Sequence, residues 1–209
     1  MVGTYLCPSC MNRCRSVDGP VCLYCRQRSL YGLTHPGCRR RQGIDGFVSL
    51  FRYDQLMKRI LQRVKYHLAT AVFEEFFLSI DPMKMQQLHA YHRLARAAVI
   101  QPIPLHPHRY RRRGFNQSAR IASFLQNYTQ YPIVSCLRRT RDTSPQALLH
   151  TPRERRENIR GAFEATGSVR PDIILVDDVV TIANTVQEAA GELKRAGAKR
   201  VFVFSLAQG

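Results

Sequence analysis

The spacing of apolar residues changes at recognisable points along the chain, and each change marks an element. The run "GFVSLFRY" (46–53) is apolar and β-favouring, which predicts a buried strand. Directly after it, Leu56, Ile60, Leu61 and Val64 fall on one helical face, with Asp54 placed to cap the helix start. Residues 69–79 read as a further buried helix and 84–97 as a more exposed one. "AAVIQPIP" (97–104) is a short strand ended by prolines. Residues 115–127 then place Phe115, Ser118, Ile121, Ala122 and Leu125 on one helical face, and 133–136 form another brief strand. Residues 138–160 are polar, rich in Arg and without period, which predicts a long loop or hairpin. A strand over 172–177 leads to a helix over 184–196, with Val186, Ala189, Ala190, Leu193 and Ala196 inward and Gly197 as its stop. "RVFVFSLA" supplies a last strand. Strands alternating with helices imply an α/β fold with a mostly parallel, doubly wound sheet.

Residues 1–45 lie outside this pattern. They are short of core material and rich in Cys, Arg and Gly, so they predict a small N-terminal module, with the α/β domain over 46–209. Six of the seven Cys fall there. Cys7-x2-Cys10 and Cys22-x2-Cys25 are two knuckles separated by 11 residues, and two knuckles make a tetrahedral zinc site. Zinc then supplies folding energy that the module's small core cannot. Four thiolates leave no open position, so the site is expected to be structural, with Cys14, His35 and Cys38 as spare potential ligands. The start, "MVGTYLCPSC", lacks the charged and apolar regions of a secretory signal. No apolar run approaches the roughly 20 residues that span a bilayer. A cytoplasmic protein without membrane insertion is expected. Of 209 residues 44% are hydrophobic, which excludes a disordered chain.

Charge narrows the function. The net charge is +17, and 27 of the 32 basic residues are Arg, whose planar fork grips phosphate oxygens in pairs. Residues 104–160 hold 12 Arg against 3 acids, a net of +9, whereas 161–209 have a net of −1. Such a field attracts polyanions. Against it, Asp177 and Asp178 stand side by side at the end of the 172–177 strand, where an α/β sheet binds its ligands. The turn beyond them enters a helix N-terminus, whose N–H groups and dipole favour phosphate. Carboxylates beside a phosphate cradle suit vicinal hydroxyls or a hydrated Mg²⁺. Together they describe a site for a ribose 5-phosphate.

The run of hydrophobics, Asp177, Asp178 and Thr181 before a helix resembles the phosphoribosyl pyrophosphate (PRPP) motif of type I phosphoribosyltransferases. More specifically, "PIPLHPHRYRRRGFNQSA" (102–119), the paired Cys knuckles and "LLHTPRERRENIRGAF" (148–163) are similar to the ComF/GntX family, linked to natural competence and DNA uptake. The resemblance covers nearly the whole chain. It implies a type I phosphoribosyltransferase-like sheet with a small zinc-binding module in front of it. It implies that Asp177 and Asp178 meet ribose hydroxyls and magnesium. Thr181, Ala183, Asn184 and Thr185 then form the 5′-phosphate loop, and Arg113, Gly114 and Asn116 the pyrophosphate loop, where Gly lets backbone approach a phosphate. Residues 138–160 correspond to the mobile loop that closes over PRPP. One departure stands out: Ile182 replaces a hydroxyl, and Ala183 replaces the Gly that permits positive φ.

Two readings follow. In the first, a competence-associated protein handles incoming single-stranded DNA, with other DNA-uptake proteins among its candidate partners. Arg111, Arg112, Arg139 and Arg141 then track the DNA backbone, and the PRPP site binds without catalysing. In the second, the protein is an active phosphoribosyltransferase using PRPP and Mg²⁺ on a nucleobase. The sequence offers no residues for recognising an acceptor base.

Overall fold

The computed structural model describes residues 6–67, 71–78, 80, 98–144, 149 and 151–209. Four strands form the central sheet: β1 (Gly46–Arg52), β2 (Val99–Pro102), β5 (Asp172–Val180) and β6 (Arg200–Gln208). Their order is β1-β6-β5-β2, and every pairing is parallel. Parallel strands are covered on both faces and carry near-continuous apolar runs. Ile173–Val176 of β5 and Val201–Ala207 of β6 are accordingly buried throughout.

Alternation along the strands supplies two cores. On one face Val48, Ile100, Ile174, Val176, Phe202 and Phe204 meet three helices: α2 (Gln55–His67), α3 (Ala71–Leu78) and α5 (Gln117–Thr129). On the other face Phe47, Val99, Ile173, Leu175, Val201 and Val203 meet α7 (Asn184–Arg195) through Val186, Ala189, Ala190 and Leu193. Each large apolar side chain buried in this way contributes about 1.5–3 kcal/mol. The α2 start is as the sequence implies, with the Asp54 carboxylate accepting from the Met57 N–H at 2.9 Å.

Two expectations change in the structure. The brief strand over 133–136 reduces to a single bridge between Ile133 and Ile100. Ala196 is exposed, because α7 ends at Arg195 and the chain turns through Gly197 (φ 110°) to bury Ala198 instead. Of the loop or hairpin expected over 138–160, the structure shows the hairpin, and the described part of the segment adds a helix. Strand β3 (Leu137–Arg139) pairs antiparallel with β4 (Phe163–Ala165), and helix α6 (Pro152–Ile159) lies between them in sequence. That helix starts with reciprocal caps: Glu154 N–H donates to Thr151 Oγ1 at 3.1 Å and Thr151 N–H to Glu154 Oε2 at 2.9 Å. The exposed helix expected over 84–97 lies outside the described residues.

The described part of the segment before β1 carries the short helix α1 (Pro8–Arg13) and runs along the sheet's β1 edge through bridges from Ser16 to Phe51 and from Leu33 to Gly46. A further short helix, α4 (Pro107–Arg113), follows β2.

Candidate functional site

A cavity of about 430 Å³ opens at the carboxyl ends of β2 and β5. Asp177 and Asp178 line it, and they belong to β5, which runs to Val180. Asp177 Oδ1 accepts from the Ser118 hydroxyl at 3.0 Å and from the Asp178 N–H at 2.9 Å. Asp178 Oδ1 accepts from the Val179 N–H at 3.0 Å. The pair is therefore fixed in place by local donors and by α5.

The chain then turns through Thr181 and Ile182 into α7. Ala183 occupies the N-cap position with φ 61° and ψ 6°, the left-handed conformation that glycine adopts freely. Ala183 thus adopts the conformation that the Gly of the resembled motif permits, at a conformational cost of about 1–2 kcal/mol. The Ala183 methyl is buried against the α7 face of the sheet, which offsets part of that cost. Thr181, Asn184 and Thr185 all line the cavity, where the first turn of α7 presents N–H groups that have no intrahelical partner.

The opposite wall is basic. Lys58, Arg109, Arg113, Arg139 and Arg155 line the cavity, five cations against the two aspartates. Arg139 comes from β3, donates to Thr143 Oγ1 at 2.5 Å and stacks 5.4 Å from the Phe163 ring. Burial, and then the neighbouring Arg109, lower its pKa to about 10, with Asp177 acting in the opposite direction. Its Nε is buried without a hydrogen-bond partner among the described residues, as are Gln117 Nε2 and Asn184 Nδ2. All three of these residues line the one cavity, and all three atoms carry N–H donors. Buried donors without acceptors are costly. A ligand rich in acceptor oxygens, such as a phosphate, removes that cost.

The remaining residues named from sequence divide between lining and support. Of the expected pyrophosphate loop, only Arg113 lines the cavity. Gly114 ends α4 in the left-handed region (φ 75°) with its N–H on Tyr110 O at 2.8 Å. Asn116 caps α5: its Oδ1 accepts from Ser118 N–H at 3.0 Å, and its Nδ2 donates to Ile103 O at 2.9 Å. Arg111 and Arg112 are exposed on α4, and exposed Arg141 donates to the Arg160 carbonyl. Sequence reading missed Lys58, Arg109, Gln117 and Arg155 as cavity residues. It took Ser118 for a core position, where it does lie buried, but not for the partner of Asp177.

The cysteines fall into two groups. Cys22, Cys25, His35 and Cys38 bring one ligand atom each to within 4.8 Å of one another. The bridge between Val21 and Arg28 forms the first knuckle, and a short turn over Pro36–Cys38 brings back the second pair. His35 Nδ1 lies 3.2 Å from Cys25 Sγ. Its Nε2 lies 3.1 Å from the Arg28 carbonyl, which can only accept, so Nε2 carries the proton and Nδ1 the ligating lone pair. Burial opposes ionisation of Cys22, but N–H groups of Cys25, His35 and Tyr24 overcome it and lower the thiol to about 7. Burial and the neighbouring Cys25 and Cys22 thiols push Cys38 up to about 11, a crowding that a cation relieves. Three sulfurs and an imidazole are a donor set that can hold a metal such as zinc.

Cys7 and Cys10, expected as the partners of Cys22 and Cys25, are not in this group. They pair with each other at the start of α1, with Cys10 N–H 3.4 Å from Cys7 Sγ. Leu6 and Met11 pack beside them on the α2–α3 side of the sheet, and the Leu6 N–H is held by Glu75 Oε2 at 2.8 Å.

No family model matches the chain. Individual relatives do. Competence protein F of Haemophilus influenzae is 26% identical over 214 residues, 97% of this chain and 90% of the relative. Competence protein ComFC of Streptococcus pneumoniae is 26% identical over 98% of this chain and 81% of the relative. The DNA utilization protein YhgH of Escherichia coli K12 is 38% identical over 109 residues, about half of each chain. The first two relatives, matched over nearly the whole chain, support the ComF family. At 97% and 98% of this chain, the two competence-protein matches take in nearly all of its sequence.

Proposed function

We propose that the protein handles single-stranded DNA in competence, with a cleft that binds PRPP or a related ribose phosphate without turning it over. What carries this reading is the convergence on one cavity of the Asp177–Asp178 pair, the α7 start and three buried N–H donors without acceptors. Asp177 and Asp178 suit ribose hydroxyls and supply the oxygen ligands that Mg²⁺ takes. Residues 181–185 suit a 5′-phosphate, and Arg113 and Arg139 a pyrophosphate. Magnesium, when bound, offsets pyrophosphate charge. The relatives' names, competence and DNA utilization proteins, support the DNA role. The basic residues around the cleft, Arg111 and Arg112 among them, support a polyanion as partner. The same reading makes the sheet domain (46–209) type I phosphoribosyltransferase-like, the first 45 residues a zinc-binding module, and the location cytoplasmic.

The second reading, an active phosphoribosyltransferase, is favoured by Ala183 alone. The loop keeps the glycine conformation even though it contains no glycine, so the phosphate cradle is not collapsed. Calorimetry with PRPP and Mg²⁺, repeated with single-stranded DNA, tests the proposal. Binding of both, without pyrophosphate release in the presence of nucleobases, is the expected outcome. Pyrophosphate release favours the enzyme, and binding of neither ligand ends both readings.

A further inference from the structure

A second cavity, of about 530 Å³, opens at the same edge of the sheet, by the carboxyl ends of β1 and β6. Arg15, Arg26 and Arg28 reach it from the segment before β1, and Arg52 from the end of β1 itself. Both acids that line it are already engaged: Asp18 pairs with Arg52, and Asp54 caps α2. The Arg15 and Arg28 side chains make no hydrogen bond or ion pair among the described residues.

The two cavities adjoin. Tyr53 lines both. Arg26 lines the second cavity and donates to the carbonyl of Thr181, which lines the first. Gly209, also in the second, donates its N–H to Val180 O at 3.1 Å. The β1-β6-β5-β2 order puts the second cavity by β1 and β6, next to the first cavity by β5 and β2.

We propose that the second cavity is a phosphate subsite for single-stranded nucleic acid. A strand with one nucleotide in the first cleft crosses Tyr53 and sets its following phosphates against Arg15 and Arg28. Guanidinium groups suit phosphodiester oxygens, and an aromatic ring on the path offers a face for a base. The inference rests on the nucleic-acid reading given above. Arg26 and Arg28 then border the ligand path.

A mononucleotide reaches only the first cleft, whereas an oligonucleotide reaches both. The test uses the full chain with thymidine 5′-phosphate and with an oligothymidylate of about twelve nucleotides, within the span of known single-strand sites. Arg15→Ala with Arg28→Ala removes the subsite cations. Arg170→Ala with Lys199→Ala, at the amino edge of the sheet, is the control. The expected result for the first pair is a salt slope (log K against log salt) flatter by about 1.4, two contacts at ~0.7 each. Mononucleotide affinity and bound metal stay at the parent's values, which shows that the Cys/His segment remains folded. The parent's slope in the Arg15/Arg28 variant overturns the subsite, as does an equal loss in the control pair. Competition by polyglutamate as effective as by the oligonucleotide overturns it too. A parent that binds no oligonucleotide overturns the nucleic-acid reading along with it.

Discussion

Two carboxylates side by side at the end of a buried strand repel, so their persistence needs a local reason. Asp177 and Asp178 are held by the Ser118 hydroxyl and by the Asp178 and Val179 N–H groups. Each of these bonds needs only an acceptor oxygen, and an Asn amide keeps one. Asp177→Asn with Asp178→Asn therefore preserves the scaffold and removes two negative charges from a small cleft. A melting temperature no lower than the parent's is expected, together with loss of Mg²⁺-dependent PRPP binding by calorimetry. A double variant that binds like the parent places the ribose site elsewhere. The acid pair was legible because charge at a strand end is a local anomaly. Its partner Ser118 was not, since it lies 59 residues away and occupies a position that helical spacing assigns to the core. The left-handed Ala183 was legible only as a mismatch, because backbone conformation follows from the loop's surroundings.

At the scale of elements, legibility followed periodicity. Helix α2 announced itself by one apolar face and the Asp54 cap, and α5 by Ile121, Ala122 and Leu125, all buried, although Phe115, expected on the same face, lies before the helix. The β3–β4 ribbon did not, because three-residue strands carry too few positions for alternation to show, and their register joins Leu137 to Ala165. Of the metal ligands, Cys22 and Cys25 were legible and their two partners were not, for a different reason. Cys7-x2-Cys10 precedes the central knuckle by 11 residues, and His35-x2-Cys38 follows it by 9. Spacing alone cannot choose between such similar distances. The chain's path decides: α1 is drawn toward α3 by Glu75 and Met11, while the turn at Pro36 returns to Cys22. Protein purified without chelator should carry about one zinc per chain. Metal analysis should show that Cys38→Ser loses it and Cys7→Ser keeps it. The reverse pattern restores the pairing expected from sequence. Because structural zinc contributes folding energy, Cys38→Ser should also increase amide exchange in residues 20–45 and leave β5 and β6 protected.

Over the whole molecule, a net charge of +17 sets a field, but the structure divides the arginines by what each can reach. Arg111 and Arg112 are exposed on α4, beside the first cleft's Arg109 and Arg113. Arg139 is largely buried inside that cleft, and Arg141 is tied to a main-chain carbonyl. The four arginines expected to track DNA are thus three kinds of group, and a diffuse basic coat predicts no difference between them. Arg111→Ala with Arg112→Ala should flatten the salt slope for single-stranded DNA by one to two contacts, about 0.7 to 1.4, with PRPP affinity unchanged. Arg139→Ala should weaken PRPP and DNA alike, since its donors face the cleft where both converge. Arg141→Ala should do least, because its guanidinium already has a partner. Along a single bound strand, distant contacts add. Removing Arg111 and Arg112 together with Arg15 and Arg28, on the other flank of Tyr53, should therefore flatten the slope by the sum of the two losses. A combined loss no larger than either pair alone means that the two flanks do not hold one strand. Equal losses from every pair, the amino-edge control included, leave only non-specific attraction to the field.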